Sequence, residues 1–253
     1  MVIAIIQARL GSTRLPRKVL LEIMERPLLS YMIERVKKAT HIDKIVIATT
    51  TNKIDNDIET LCSVENIACF RGNENDVLDR YYKCALKYEA KTVVRLTSDC
   101  QLIDPNLIDD VVNHFQKNKN YDYVANTAPP PGTYPDGMDV EVFSYEALEK
   151  AWHLAKKKSE REHVTFFFWK NPDLFDTFRY DHTSDYSRYR LTIDYYEDFM
   201  LIEKIINHFK HLNYTMDAII AYLEKNDELL KLNHKIQRNS GWEASLREDE
   251  KLL

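Results

Sequence analysis

The chain has 253 residues, enough for one sizeable α/β core and too few for two independent domains. Hydrophobic residues make up 44% and charged residues 30%, which excludes a disordered chain, and the net charge of −5 disfavours a general nucleic-acid-binding surface. No apolar run approaches the ~20 residues that cross a bilayer. No secretion leader opens the sequence, and Cys62, Cys69, Cys84 and Cys100 lack metal-type spacing, so a cytoplasmic protein with reduced thiols and no membrane association is expected.

Residues 2–6 (VIAII) form a continuous apolar run, the pattern of a strand buried on both faces. A turn-rich loop over 7–18 follows, and Pro27 stands where a helix over 28–39 can begin. Residues 44–49 (KIVIAT) read as a second buried strand, 53–65 as a second helix and 67–70 as a short strand. A third helix over 76–88 has Asn75 as its candidate cap, and 91–96 (KTVVRL) is a fourth strand. Asp104 and Pro105 open the next helix, with the acid at the cap and proline at the first helical position. This alternation predicts an α/β fold with a single doubly wound, mostly parallel sheet, Rossmann-like, with helices on both faces. Ligands bind such sheets at loops leaving the C-terminal strand ends.

The second half is less regular. Residues 121–126 suit a strand, and 128–137 (APPPGTYPDG) form a proline-rich loop. A strand over 139–143 leads into a helix over 145–157, and Ser159 with Glu162 fits a capping box that starts another helix. Strands over 175–180 and 189–193, and helices over 197–209 and 216–225, follow. A polar tail from about residue 236 to the end is expected to be loosely held.

Chemistry concentrates in the first loop. Arg9, Gly11, Ser12, Arg14 and Lys18 lie directly after the first strand, and Gly11 is one of only five glycines in the chain. Phosphate sites need backbone N–H groups at a sharp turn plus fixed cations, and this loop offers both. It matches neither the P-loop nor the dinucleotide fingerprint. A solvated basic turn is the plainer alternative.

The string over residues 7–18, QARLGSTRLPRK, resembles the A-R-x-x-S-x-R-x-P-x-K signature of cytidylyltransferases that make CMP-activated acidic sugars, and most closely their spore-coat-polysaccharide branch. The resemblance continues through 70–80 (FRGNENDVLDR), 95–100 (RLTSDC), 134–139 (YPDGMD) and 159–165 (SEREHVT), and it ends near Asn239, Ser240 and Gly241. One departure stands out. Glycine is expected before the lysine, and Arg17 is there instead, which would add a cation beside the phosphates.

The resemblance implies one domain over residues 1–253, with a nucleotide-binding half to about residue 115 and an acceptor-binding half over about 116–235. It implies CTP as donor and a small acidic sugar or phosphorylated molecule as acceptor, for surface polysaccharide in the cell envelope, and a homodimer. Ala8, Arg9, Gly11, Ser12, Arg14, Lys18, Thr49, Arg71, Arg80 and Thr97 are the candidate nucleotide contacts. Arg71 and Arg80 equally suit ion pairs with Glu74 or Asp76.

The resemblance also implies Mg²⁺, held by Asp99 after the fourth strand and by Asp194 far downstream. Mg²⁺ takes oxygen ligands and often only one or two protein carboxylates, with phosphates and waters completing its shell. Asp194 equally suits a cap for the following helix, whose acids Glu197 and Asp198 could support the site. Arg9, Arg14, Lys18 and Asp99 are the candidate catalytic residues for in-line attack on the α-phosphorus. On the acceptor side the candidates are Tyr134, Asp136, Asp139, Arg161 and His163. A helical histidine is more often structural than a general base. Two alternatives remain open: a nucleotide-sugar glycosyltransferase, for which Ser98-Asp99-Cys100 lacks the second acid of a D-x-D motif, and a non-catalytic nucleotide-binding protein.

Overall fold

The structure, a computed structural model, describes residues 1–238 and 240–250. Its first strand, β1 (Val2–Gln7), carries alternate residues into two separate cores. Val2, Ala4 and Ile6 join one apolar cluster, while Ile3 and Ile5 join the other. That is why the run is apolar throughout: both faces of the strand are covered. A small hairpin, β2 (Glu22–Ile23) and β3 (Arg26–Pro27), leads into helix α1 (Leu28–Val36).

Then follow β4 (Lys44–Thr50), α2 (Asn56–Val64), β5 (Ala68–Gly72), α3 (Val77–Lys87), β6 (Thr92–Thr97) and α4 (Pro105–Lys117). The remainder comprises β7 (Tyr123–Ala125), β8 (Glu141–Ser144), α5 (Tyr145–Leu154), α6 (Lys158–His163), α7 (Phe166–Trp169), β9 (Thr177–Arg179), α8 (Tyr196–Phe209), α9 (Met216–Lys225) and α10 (Ser240–Glu250).

The main sheet has the order β5-β4-β1-β6-β8-β7-β9. Its first four strands are mutually parallel, β8 runs antiparallel to both neighbours, and β9 pairs parallel with β7. The sheet is thus doubly wound and mostly parallel, as the strand–helix alternation predicts. Buried side chains of α1, α4, α8 and α9 pack on one face, and those of α3, α5 and α7 on the other. No helix among the described residues is long and apolar enough to cross a membrane.

Several local expectations change. Asp76, not Asn75, caps α3, its carboxylate accepting the Asp79 N–H at 2.9 Å; Asn73 accepts the N–H groups of Asn75 and Asp76 instead. The 53–65 helix starts as a 3₁₀ turn before α2. The helix assigned to Ser159 and Glu162 starts two residues earlier, capped at Lys157, with the Glu160 carboxylate accepting the N–H groups of Lys156 and Lys157 at 3.1 and 3.0 Å. The strand expected over 189–193 reduces to one bridge, Asp136 to Arg190. The tail forms α10, which sits on α6: Ser245 meets His163 at 2.9 Å, and Asp249 accepts from the Ser159 N–H at 3.1 Å. Asn239 and residues 251–253 lie outside the described residues.

Candidate active site

Strands β1 and β6 are neighbours in the sheet, yet the chain leaves β1 toward β4 on its other side. The C-terminal ends of β1 and β6 therefore flank a topological switch point, where open α/β sheets bind ligands. The 8–18 loop leaves β1 here, and Asp99 follows β6 by two residues.

The loop is pinned from below. The Leu10 N–H donates to the buried Asp55 carboxylate at 2.7 Å, and Asp55 also accepts the Thr50 hydroxyl from the end of β4. Arg17 adopts a left-handed conformation, φ 58, at the position where the resemblance favours glycine. Its guanidinium turns to Asp57 at 2.7 Å, so it adds no cation to the cluster of Lys18 and the downstream acids. Gly11 is less constrained, because an added Cβ would meet only Glu74 Oε1 at 3.4 Å.

Lys18 is the centre of the arrangement. Its Nζ donates to the Ile193 carbonyl at 2.7 Å, to Asp194 Oδ1 at 2.9 Å and to Asp99 Oδ2 at 3.4 Å. Arg14 reaches the same Asp194 oxygen at 2.6 Å. Burial alone would push the Lys18 ammonium down, but Asp99 and Asp194 outweigh it and hold the pKa above its usual value. Asp99 is likewise opposed by burial, and Lys18 with the Thr97 hydroxyl brings its pKa below the usual carboxylate value. Two contacts to the Asp99 carbonyl seat segment 192–193 beside the end of β6: the Ile193 N–H donates to it at 3.0 Å, and the Thr192 hydroxyl donates to it at 3.4 Å.

Among the described residues, no three His, Cys, Asp or Glu side chains form a metal-holding group by themselves. Two convergent carboxylates around one cation are nevertheless a donor set that suits Mg²⁺, whose remaining ligands are phosphates and water.

The other nucleotide candidates divide. Arg9 lies half exposed and pairs with Glu74 at 3.3 Å, while Ala8 is buried and Ser12 accepts the Leu15 N–H at 3.4 Å. Thr49 is buried with no partner for its hydroxyl, and Arg80 is buried with its Nε unpaired and one N–H on the Asn73 carbonyl at 2.8 Å. Arg71 spends its donors locally, on Glu59 at 2.8 Å, Asn56 at 2.7 Å and the carbonyls of Thr50 and Asn52. Neither arginine makes the Glu74 or Asp76 ion pair weighed from the sequence; Arg71 pairs with Glu59 instead.

The acceptor candidates also separate into two groups. Tyr134, Asp136 and Asp139 belong to a loop pressed against segment 189–192. Gly137 makes this possible: its φ is 99, and a Cβ there would lie 2.4 Å from the Leu191 carbonyl carbon and the Thr192 nitrogen. The Asp136 carboxylate accepts from Arg190 at 2.6 Å, and the Tyr134 carbonyl accepts from Arg238 at 3.0 Å. Burial first, then the charge of Asp136, pushes the Asp139 carboxyl up to about 7.

Arg161 and His163 make no contact with that cluster. Arg161 holds Asp76 at 2.7 Å and the carbonyls of Trp152 and Ala155, tying α6 to α3 and α5. His163 stacks on Phe166 at 4.4 Å and is pushed down to about 4 by burial and then by Arg95.

Arg190 and Asn233 escape the sequence-level list of site residues, and Asp198 enters it only as a helix acid that could support the site. Arg190 reads there as part of a strand. Asp198 carries a usable signal, an acid in the first turn of a helix beginning just after Asp194.

A cytidylyltransferase family model matches residues 3–238. The chain belongs to this family. As a cytidylyltransferase it is an enzyme that takes its transferred nucleotide from CTP, and the match runs from β1 to Arg238. It is 41% identical to an uncharacterized protein of Methanocaldococcus jannaschii, over 94% of this chain and 97% of that one. It is 32% identical to a spore coat polysaccharide biosynthesis protein of Bacillus subtilis, over 81% of this chain and 85% of the relative. A solved cytidylyltransferase from Leptospira borgpetersenii superposes on it with a TM-score of 0.87 at 34% identity, covering 90% of this chain and 96% of the other.

Proposed function

We propose that this cytidylyltransferase transfers CMP from CTP to a small acidic sugar or phosphorylated acceptor, releasing pyrophosphate, in the making of a surface polysaccharide. The observation that carries the reading is Lys18, held between Asp99 and Asp194 at the switch point. It places cations and carboxylates where phosphoryl transfer needs charge neutralised and groups positioned.

In this reading Arg14 and Lys18 hold the triphosphate, with Arg9 at the strand end. An acceptor oxygen attacks the α-phosphorus in line, the bond to the bridging oxygen breaks, and pyrophosphate leaves with that electron pair. Asp99 and Asp194 would hold Mg²⁺, which supplies charge neutralisation at the reacting phosphate when bound. The unpaired buried atoms of Thr49 and Arg80 near the ends of β4 and β5 support a nucleotide site there, since such atoms cost about 1–3 kcal/mol each when left alone. The acceptor lies against Tyr134, Asp136 and Asp139, whereas Arg161 and His163 serve to fix α6. The polysaccharide role is supported by the spore coat relative and by the sequence motifs. A homodimer in the cytoplasm completes the proposal; light scattering would test the dimer.

The test is a screen of the four nucleoside triphosphates against a panel of acidic sugars and sugar phosphates, read by pyrophosphate release. CTP with one acidic acceptor is expected to respond. Sugar transfer from a nucleotide sugar, with no pyrophosphate from CTP, would refute the reading.

A further inference from the structure

Asp194 is held from two sides, and only one belongs to the phosphate loop. Its Oδ1 takes Arg14 and Lys18, while its Oδ2 faces Arg190 Nη2 at 3.5 Å. Arg190 is itself clamped. Its Nε and Nη2 donate to the two oxygens of Asp198 at 2.8 and 3.0 Å, and its Nη1 donates to Asp136 at 2.6 Å. One guanidinium thus meets carboxylates from the acceptor loop, from the segment after residue 193 and from α8. The Arg190 side chain is 10% exposed and that of Asp198 0%, so solvent screens these contacts weakly.

Asp198 does more than balance charge. Its Oδ2 accepts the backbone N–H groups of Asp194 and Tyr195, each at 3.0 Å, and its Oδ1 accepts the Asn233 amide at 2.9 Å. Asn233 also donates to the Arg190 carbonyl at 3.1 Å. The Arg190–Asp198 pair therefore fixes both the backbone of Asp194 and one face of its carboxylate.

We propose that Arg190 is a positioning residue of the site: braced by Asp198, it aims the Asp194 carboxylate and couples it to Asp136 of the acceptor loop. This deepens the reading above and rests on it. Removing the guanidinium leaves Asp136, Asp194 and Asp198 facing one another, with Arg14 and Lys18 both committed to the far oxygen of Asp194. Lysine cannot replace the planar fork, because a point charge makes neither the paired contact to Asp198 nor a simultaneous reach to Asp136.

The probe is Mn²⁺, titrated into the CTP-bound protein and followed by the electron paramagnetic resonance of the free ion, alongside steady-state pyrophosphate release. Arg190→Gln and Arg190→Lys are each expected to weaken Mn²⁺ binding and to lower kcat by about 10- to 100-fold, the usual effect of removing a partner that orients a metal-binding carboxylate. CTP affinity measured without divalent ion should stay near wild type, since the phosphate loop is untouched. Arg188→Gln, which alters the arginine paired with Glu224 at the surface, should match wild type throughout. If Arg190→Gln fails to fold, Arg190→Lys, which keeps the charge in place, decides. A folded variant with wild-type Mn²⁺ affinity and kcat would overturn the proposal. So would a parallel loss of metal-free CTP binding, which would mark Arg190 as a general structural residue. Wild-type protein that binds Mn²⁺ but never releases pyrophosphate would instead remove the transferase reading, leaving the Mn²⁺ comparison to judge Arg190.

Discussion

Two ion-paired clusters sit four residues apart along and just beyond β6, and they are built in opposite ways. Arg95 pairs with Glu141 across the β6–β8 ladder, where the two residues stand in register. The Glu141 carboxylate also accepts the Tyr123 hydroxyl at 2.5 Å and the Thr165 hydroxyl at 2.6 Å, and the whole group is buried. Asp99 lies just past the strand end, with 27% of its side chain exposed, and meets a lysine from 81 residues earlier. The first cluster is closed: the Glu141 carboxylate is answered by neighbouring strands and by the α6–α7 junction, and Arg95 Nε is buried without a partner. The second opens to solvent on one side, and its cation is shared between two acids from distant segments. Burial of charge marks a structural tie when the charged partners face each other in register across the sheet and solvent barely reaches them. Charges gathered from distant segments at a strand exit, with access left over, are the arrangement that the proposed binding site rests on.

The widest gap between the clusters should appear on breaking each one. Glu141→Leu strands a buried arginine and should cost about 3–5 kcal/mol in urea unfolding, with turnover per folded molecule unchanged. Asp99→Asn should lower kcat by about 10²–10³-fold in the pyrophosphate assay, comparable to losing one preorganised electrostatic group, while the unfolding midpoint moves little. Unimpaired turnover in that variant would make the open cluster as structural as the closed one.

Gly137→Ala tests how the acceptor loop is joined to the open cluster. A left-handed residue pressed against the Leu191 and Thr192 backbone should cost of order 1–3 kcal/mol, together with a raised KM for the acceptor and little change for CTP.

The smallest effect belongs to His163, beside the closed cluster. Its folded pKa is about 4 against an ordinary 6.5, so between these values the unfolded chain takes up a proton that the folded one refuses. Stability therefore falls as pH drops through that window. His163→Phe should flatten this acid limb of thermal unfolding and leave pyrophosphate release at pH 7 as it was; a large loss of turnover would restore His163 to the site.

The elements that the sequence shows clearly are those whose signal is local. The apolar run of β1 needs cover on both faces, and Asp104 with Pro105 marks the start of α4 directly, the aspartate accepting the Asn106 N–H at 2.9 Å. The basic loop over residues 8–18 announces itself through cations crowded beside a strand end. Arg190 carries no such mark. Within Tyr189-Arg190-Leu191 it reads as strand, and its contact with Asp136 depends on Gly137 letting that loop approach. Arg161 misleads for the same reason in reverse, since its residue type suits an anionic ligand while its partner Asp76 lies 85 residues earlier. Asn75 and Asp76 are both good caps by residue type, and the sequence alone does not choose between them.

The most direct measurement follows the α-phosphate itself. CTP labelled at that position, incubated with Mg²⁺ and the responding acceptor, should transfer its label to a CMP–acceptor product in step with pyrophosphate release, and Asp99→Asn should slow both by about 10²–10³-fold. Label recovered only in CDP or free CMP, or transferred undiminished by Asp99→Asn, would contradict the account.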